Sequence, residues 1–170
     1  RVWMDHGAWP LLTTRLYIDQ TGDLKFLLRK QAYFKDQISH RCHGTDNAWT
    51  PEQGTQLKTK AGQVYQGSVL EHLLIQHLTA FFNVGEHNVL LLEGADWNDA
   101  LDMARTRGES VAFSALYAGN LQTLAELCRA LARTGTRDVS LATELELLLD
   151  CTDKIDFDSV TEKRECLRQY

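Results

Sequence analysis

Proline is almost absent from this chain, with two in 170 residues, and glycine stops at 11. That excludes a collagen-like repeat and a proline-rich disordered segment. Positive charge is not in surplus: 18 Lys and Arg stand against 23 Asp and Glu, a formal charge of -5. A general basic surface for nucleic acid or an anionic membrane is missing, although a local patch stays open. No apolar run reaches the roughly 20 residues that span a bilayer. Cys42, Cys128, Cys151 and Cys166 are widely spaced and form no CxxC pair, which argues against a zinc or redox motif. The pattern favours a reducing compartment, and a cytoplasmic protein is expected. No GxGxxG or Walker pattern offers a phosphate cradle. The opening RVWMDHG has no leader, and the chain is expected to be a piece of a longer polypeptide.

What is present is helical texture. Apolar residues make up 44% and charged residues 24%, ordinary for a globular chain. Pro10 fits a first helical turn, with Leu11, Leu12, Leu16 and Ile18 at helical spacing up to Gly22. Asp23 then reads as the cap of a second helix carrying Phe26, Leu27, Tyr33 and Phe34, giving a helical hairpin. Residues 41–67 are polar and without period, a long insert expected beside a cleft, with room for a hairpin over Gln56 to Gly67. Ser68 with Glu71 forms a capping-box pattern before Leu70, Leu73, Leu74, His77, Leu78 and Phe81, with Gly85 as the stop. A long helix is predicted from about Glu109 to Arg133, with Gly119 marking close packing or a slight kink. Leucine-rich Ser140 to Leu149 and a segment after Ser159 give two more helices. The fold class is all-α, built of helical hairpins that suit a bundle or a helical toroid.

The stretch from Leu91 to Ser110, LLEGADWNDALDMARTRGES, is the least generic part. Val89 to Leu92 reads as a brief strand. Asp96, Asp99 and Asp102 follow at i,i+3 spacing, which puts three acids on one side if the segment is helical. Like charges so close require water, a ligand or a shared proton. Trp97 and Asn98 between them suit a sugar cleft, the ring offering an apolar face and the amide and acids taking hydroxyls. The plainer reading is a short surface helix capped by Asp96. A calcium loop fails at Ala100, Leu101 and Arg107, where an oxygen ligand, Gly and Glu belong.

GADWNDALD resembles the GDWNDG-type signature of glycoside hydrolase family 94, the inverting disaccharide and oligosaccharide phosphorylases, and RGESVAF resembles that family's GES segment. Within the family, LEGADWNDALDMA, QLKTKAGQVYQGSVLEHLL and HLTAFFNVGEHN are similar to the 1,2-beta-oligoglucan phosphorylases. The resemblance covers most of residues 1–135, with a specific core at 91–111. It implies that residues 1–170 are a partial catalytic domain, truncated at both ends, forming roughly half of an (α/α)6 barrel.

Splitting a glycosidic bond requires a proton on the departing oxygen. The resemblance makes Asp99 the general acid. Asp96 becomes a supporting carboxylate that orients neighbours or raises the Asp99 pKa, and Trp97 packs at the glucosyl site. RVWMDHGAWPLL resembles the family's RYSDDHLWLP stretch. Asp5 then binds hydroxyls of the non-reducing glucosyl unit, His6 and Trp9 line the same cleft, and Arg1 helps hold sugar or phosphate. Met4 stands where the family has a first aspartate. Glu93 is a substrate-binding or supporting acid, and Glu71 is expected to cap its helix. The expected partners are a beta-linked glucooligosaccharide and inorganic phosphate as co-substrate, with no organic cofactor and no metal. The phosphate ligands are expected outside this chain, and a homodimer is compatible with the full-length parent. Rival readings are another linkage (cellobiose, chitobiose or a cyclic beta-1,2-glucan synthase domain), an inverting hydrolase, and a noncatalytic helical binding module.

Overall fold

Gly7 opens and Gly22 closes the first helix. The computed structural model describes residues 3–39, 41, 44–94, 98, 103–104, 106–151 and 153–170. Helix α1, Ala8–Thr21, carries Pro10 in its first turn, where a missing N–H leaves no bond unmade. Gly22 takes a left-handed φ of 71° and returns its N–H to the Ile18 carbonyl, so the helix stops where a side chain would be strained.

The second helix expected after Asp23 is not formed. Asp23 does accept from the Phe26 N–H, but it starts only a 3-10 turn, Leu24–Leu28. The chain then extends into β1, Lys30–Ala32. That strand pairs antiparallel with β4, Gln66–Ser68, so distant strand pairing overrides the local helical period. Leu27 is buried at the turn while Phe34 stays 69% exposed. Within the insert, β2, Ile38–Ser39, pairs with β3, Gly44–Thr45. The hairpin anticipated over 56–67 reduces to a Lys58–Val64 bridge, closed by the Thr59 N–H on the Gln63 carbonyl at 2.8 Å.

Helix α2, Val69–Phe82, begins at Ser68, whose hydroxyl accepts from the Glu71 N–H at 3.1 Å. The Glu71 carboxylate does not complete a capping box. It takes the Tyr33 hydroxyl at 2.7 Å, the Tyr65 hydroxyl at 3.0 Å and the Ala142 N–H at 2.8 Å. Burial and the carboxylate together raise the Tyr65 pKa to about 12, so that phenol stays a donor. The fully buried Glu71 thereby ties the insert, α2 and the segment at Ala142 together. The helix ends at Asn83, ahead of the expected Gly85.

Helix α3, Val111–Arg133, is capped by Ser110, which accepts from the Phe113 N–H. It packs on α1 and α2 through Leu11, Ile18, Leu70, Leu73, Leu124, Leu127 and Leu131, one buried cluster. Each such leucine contributes about 1.5–3 kcal/mol by leaving water. Gly119 faces open space, so it marks no close helix contact. The leucine-rich segment beyond gives a 3-10 turn, Thr143–Leu145, and one turn of helix α4, Glu146–Leu149, rather than a helix from Ser140. Helix α5, Val160–Gln169, starts at its Ser159 cap and closes over Phe82, Leu145 and Leu148.

The all-α expectation is corrected to a largely helical fold with two short strand pairs. It suits part of an α-helical barrel; among the described residues the helices close none. None of them is long and apolar enough to cross a membrane.

Candidate active site

Asp5 lies in the turn ahead of α1. Its carbonyl accepts the Ala8 and Trp9 N–H groups at 3.0 and 3.2 Å. The Trp9 indole N–H donates to Asp5 Oδ2 at 2.8 Å, one helical turn apart, so each side chain fixes the other. Asp5 Oδ1 is buried and has no hydrogen-bond partner among the described residues. A buried carboxylate oxygen without a donor is costly, on the order of 1–3 kcal/mol or more, and invites a hydroxyl. The Trp9 ring is 60% exposed. Together with Asp5 it lines a cleft of about 410 Å³ whose walls include Leu12, Phe113 and Leu116. His6 is exposed, stacks on Trp3 at 5.1 Å, and is not part of that lining.

This turn is docked beside Glu93. Trp3 forms a parallel bridge with Gly94, and the Met4 N–H donates to the Gly94 carbonyl at 3.3 Å. The Tyr117 hydroxyl donates to the Met4 carbonyl at 2.7 Å. Burial pushes the Tyr117 pKa up, which keeps that donor protonated. Gly7 permits the approach, because a β-carbon there would lie 2.7 Å from the Tyr117 hydroxyl. Met4 is core, packed with Ala80, Val84, Leu90, Leu92 and Tyr117. The position where the resemblance leads one to expect an aspartate is therefore filled here by a buried apolar side chain.

Glu93 repeats the pattern of Asp5. Its Oε1 accepts from Arg41 Nε at 2.8 Å and from Asn83 Nδ2 at 3.1 Å. Its Oε2 is buried with no hydrogen-bond partner among the described residues. Arg41 was not legible as a site residue. It lies in the aperiodic insert, and the only local signal is the polar run His40–Arg41–Cys42–His43. Asn83 ends α2 and Tyr117 is a buried core residue, and nothing in the sequence pattern marks either as part of a site.

The acid-bearing segment is closed at its base. The Leu92 N–H donates to the Gly108 carbonyl at 2.7 Å, and the Ser110 N–H to the Leu90 carbonyl at 3.0 Å. Val89 to Leu92 thus finds partners as bridges, Leu90 with Val84 and Leu91 with Glu109, rather than as a strand. The Glu109 carboxylate takes the His87 N–H at 2.9 Å and lies 2.5 Å from His87 Nδ1. That hydrogen bond lowers the Glu109 pKa and raises that of His87. Behind the site His77 is buried, with Nδ1 on the Leu73 carbonyl at 2.7 Å and Nε2 facing Asn120 Nδ2 at 3.1 Å. Burial lowers its pKa, so it serves as a neutral core histidine.

Arg1, Asp96, Trp97 and Asp99 lie outside the described residues, as does Asp102. The structure docks the turn that carries Asp5 and Trp9 on Gly94, next to Glu93, and leaves His6 outside the cleft lining. A cleft of about 800 Å³ between α4 and α5 contains none of these candidates. Among the described residues no three His, Cys, Asp or Glu side chains gather to hold a metal.

Residues 55–158 match the Glycosyl hydrolase 94 superfamily, catalytic domain. The chain belongs to that family. The matched range takes in Glu93, the acidic segment and Glu109, and starts after Asp5, His6 and Trp9. A solabiose phosphorylase from Paenibacillus borealis is 29% identical over 146 residues, 85% of this chain and 15% of that protein. The chain therefore spans about 15% of the length of the curated relative it matches. Membership reaches the family and not the 1,2-beta-oligoglucan phosphorylases within it. In this glycosyl hydrolase 94 domain, Asp5 and Glu93 each keep one buried carboxylate oxygen without a partner among the described residues, and such oxygens are acceptors for hydroxyl donors.

Proposed function

We propose that the full-length protein is an inverting glycoside phosphorylase and that this chain supplies its proton donor. The substrate is a beta-linked glucoside, with beta-1,2-glucooligosaccharides the first choice from the LEGADWNDALDMA string. Asp99, as a neutral acid, gives its proton to the bridging oxygen while the bond from C1 to that oxygen breaks. A phosphate oxygen attacks C1 from the opposite face, and alpha-D-glucose 1-phosphate leaves. No base carboxylate is needed, because phosphate already carries the nucleophilic charge. Asp96 supports Asp99, and Trp97 packs on the glucosyl ring. Asp5 and Glu93 accept sugar hydroxyls, Trp9 offers its face, and His6 and Arg1 flank the same region.

The observation that carries this reading is the pair of buried oxygens, Asp5 Oδ1 and Glu93 Oε2, that lack partners among the described residues. Glu93 precedes the acidic string by three residues, and the Asp5 turn is bonded to Gly94 through the Met4 N–H. Hydroxyl donors of a sugar are the chemistry they fit. A different linkage is the second reading, favoured by the similarity to a protein named for solabiose. The test is to incubate the full-length polypeptide with beta-1,2-glucooligosaccharides, cellobiose and solabiose, each with and without phosphate. Glucose 1-phosphate of alpha configuration, seen by NMR only when phosphate is present, supports the proposal. Free glucose released equally without phosphate makes the protein a hydrolase and overturns it.

A further inference from the structure

Among the described residues, Arg41 is the one buried cation that joins the insert to Glu93. Its backbone is left-handed, φ 63°, an unusual conformation for a residue with a side chain. Its guanidinium side chain is only 4% exposed. Nε donates to Glu93 Oε1 at 2.8 Å. Nη1 donates to the Gln76 carbonyl and to Gln76 Oε1, each at 2.9 Å, and more weakly to Thr79 Oγ1 at 3.3 Å. Nη2 reaches the Tyr117 hydroxyl at 3.4 Å, and that hydroxyl holds the Met4 carbonyl next to Asp5. One side chain thus links the insert, α2, α3, the Asp5 turn and Glu93.

We propose that Arg41 is a positioning residue for sugar binding: it fixes the Glu93 carboxylate through Oε1 so that Oε2 is presented to a substrate hydroxyl. The inference rests on the phosphorylase reading above. The geometry separates two jobs on one carboxylate. Arg41 and Asn83 both bind Oε1, which sets the rotamer and compensates the buried charge. Oε2 is left buried and without a donor among the described residues. A merely structural ion pair gains nothing from leaving an oxygen unbonded in the interior. A substrate-binding carboxylate requires one. The strained backbone of Arg41 fits the same view, since strain at a non-glycine residue persists only where the surroundings fix it firmly.

The test is a mutant cycle in the full-length polypeptide, read with whichever glucoside it cleaves. Arg41→Met and Glu93→Gln are each expected to raise KM for the glucoside about ten-fold, with kcat and KM for phosphate changed by less than about three-fold. The double variant is expected to be no worse than either single change, because Arg41 acts through Glu93. Arg41→Lys is expected to recover part of the loss by keeping the charge while losing the fork. Losses that multiply in the double variant, or an unchanged KM in Arg41→Met, overturn the proposal. If Arg41→Met fails to fold, the same cycle is run with Arg41→Lys, and multiplying losses have the same meaning. Amide exchange separates this proposal from the reaction class. In Arg41→Lys it should rise over residues 83–94 and stay at wild-type levels in the α1 and α3 cores. A wild-type protein that never releases sugar phosphate removes the phosphorylase reading, and the exchange map then decides the Arg41 linkage. Uniform or unchanged exchange overturns it.

Discussion

Asp5 and Glu93 share one design at the scale of single residues. Each has one oxygen held by a neighbour's N–H and the other buried without a donor among the described residues. For Asp5 the holder is Trp9, whose ring is also the exposed wall of the cleft. Trp9→Ala removes the ring face and the N–H that orients Asp5 together. An aromatic face contributes about 0.5–1.5 kcal/mol beyond its buried area, so KM for the glucoside should rise by about two- to ten-fold. Trp9→Phe keeps the face and loses the N–H, and should fall between wild type and Trp9→Ala in a steady-state KM series. A full recovery in Trp9→Phe would show that the ring alone matters.

At the scale of elements, the caps were legible and the strands were not. Ser68, Ser110 and Ser159 each accept the N–H three residues on, as their local sequence indicates, because a cap is decided within one turn. Ser110→Ala should cost about 1 kcal/mol, read as a lower denaturation midpoint, with the α3 cap lost. By contrast, Lys30–Ala32 became a strand through pairing with Gln66–Ser68, which no short window shows. Arg41 escaped for the same reason, since its partners Gln76, Glu93 and Tyr117 are far along the chain. The family membership was readable because the DWND and GES strings concentrate its signal in a few adjacent residues.

The His87–Glu109 contact pins the end of the acid-bearing segment and makes a pH prediction at the same scale. Its hydrogen bond to Glu109 raises the His87 pKa above 6.5, so that contribution is fully present below 6.5 and is lost as pH rises through the raised value. The same bond lowers the Glu109 pKa below 4.5, so that contribution is present above 4.5 and is lost as pH falls through the lowered value. The pin is therefore firmest between about pH 4.5 and 6.5. NMR of the His87 ring should give a raised titration midpoint that returns towards 6.5 in Glu109→Gln. A midpoint indifferent to that substitution would remove the contact from the account.

At the scale of the whole molecule, the two flanks of the acidic segment meet. Hydrogen bonds from Leu92 to Gly108 and from Ser110 to Leu90 draw the two ends of the acidic segment together. The Asp5 turn docks at one end through Gly94, and the insert docks there through Arg41. Helices α1, α2 and α3 form the apolar body against which this is held. The described flanks of the acidic segment, the Asp5 turn and the insert are thus gathered around Glu93 on the helical body.

The most direct test of that account is the rate of alpha-D-glucose 1-phosphate release by the full-length polypeptide and by its Asp99→Asn variant, with glucoside and phosphate saturating. If Asp99 is the proton donor proposed above, its loss should lower kcat by about 100-fold or more while thermal denaturation stays at the wild-type midpoint. A variant that releases the sugar phosphate at the wild-type rate would contradict it.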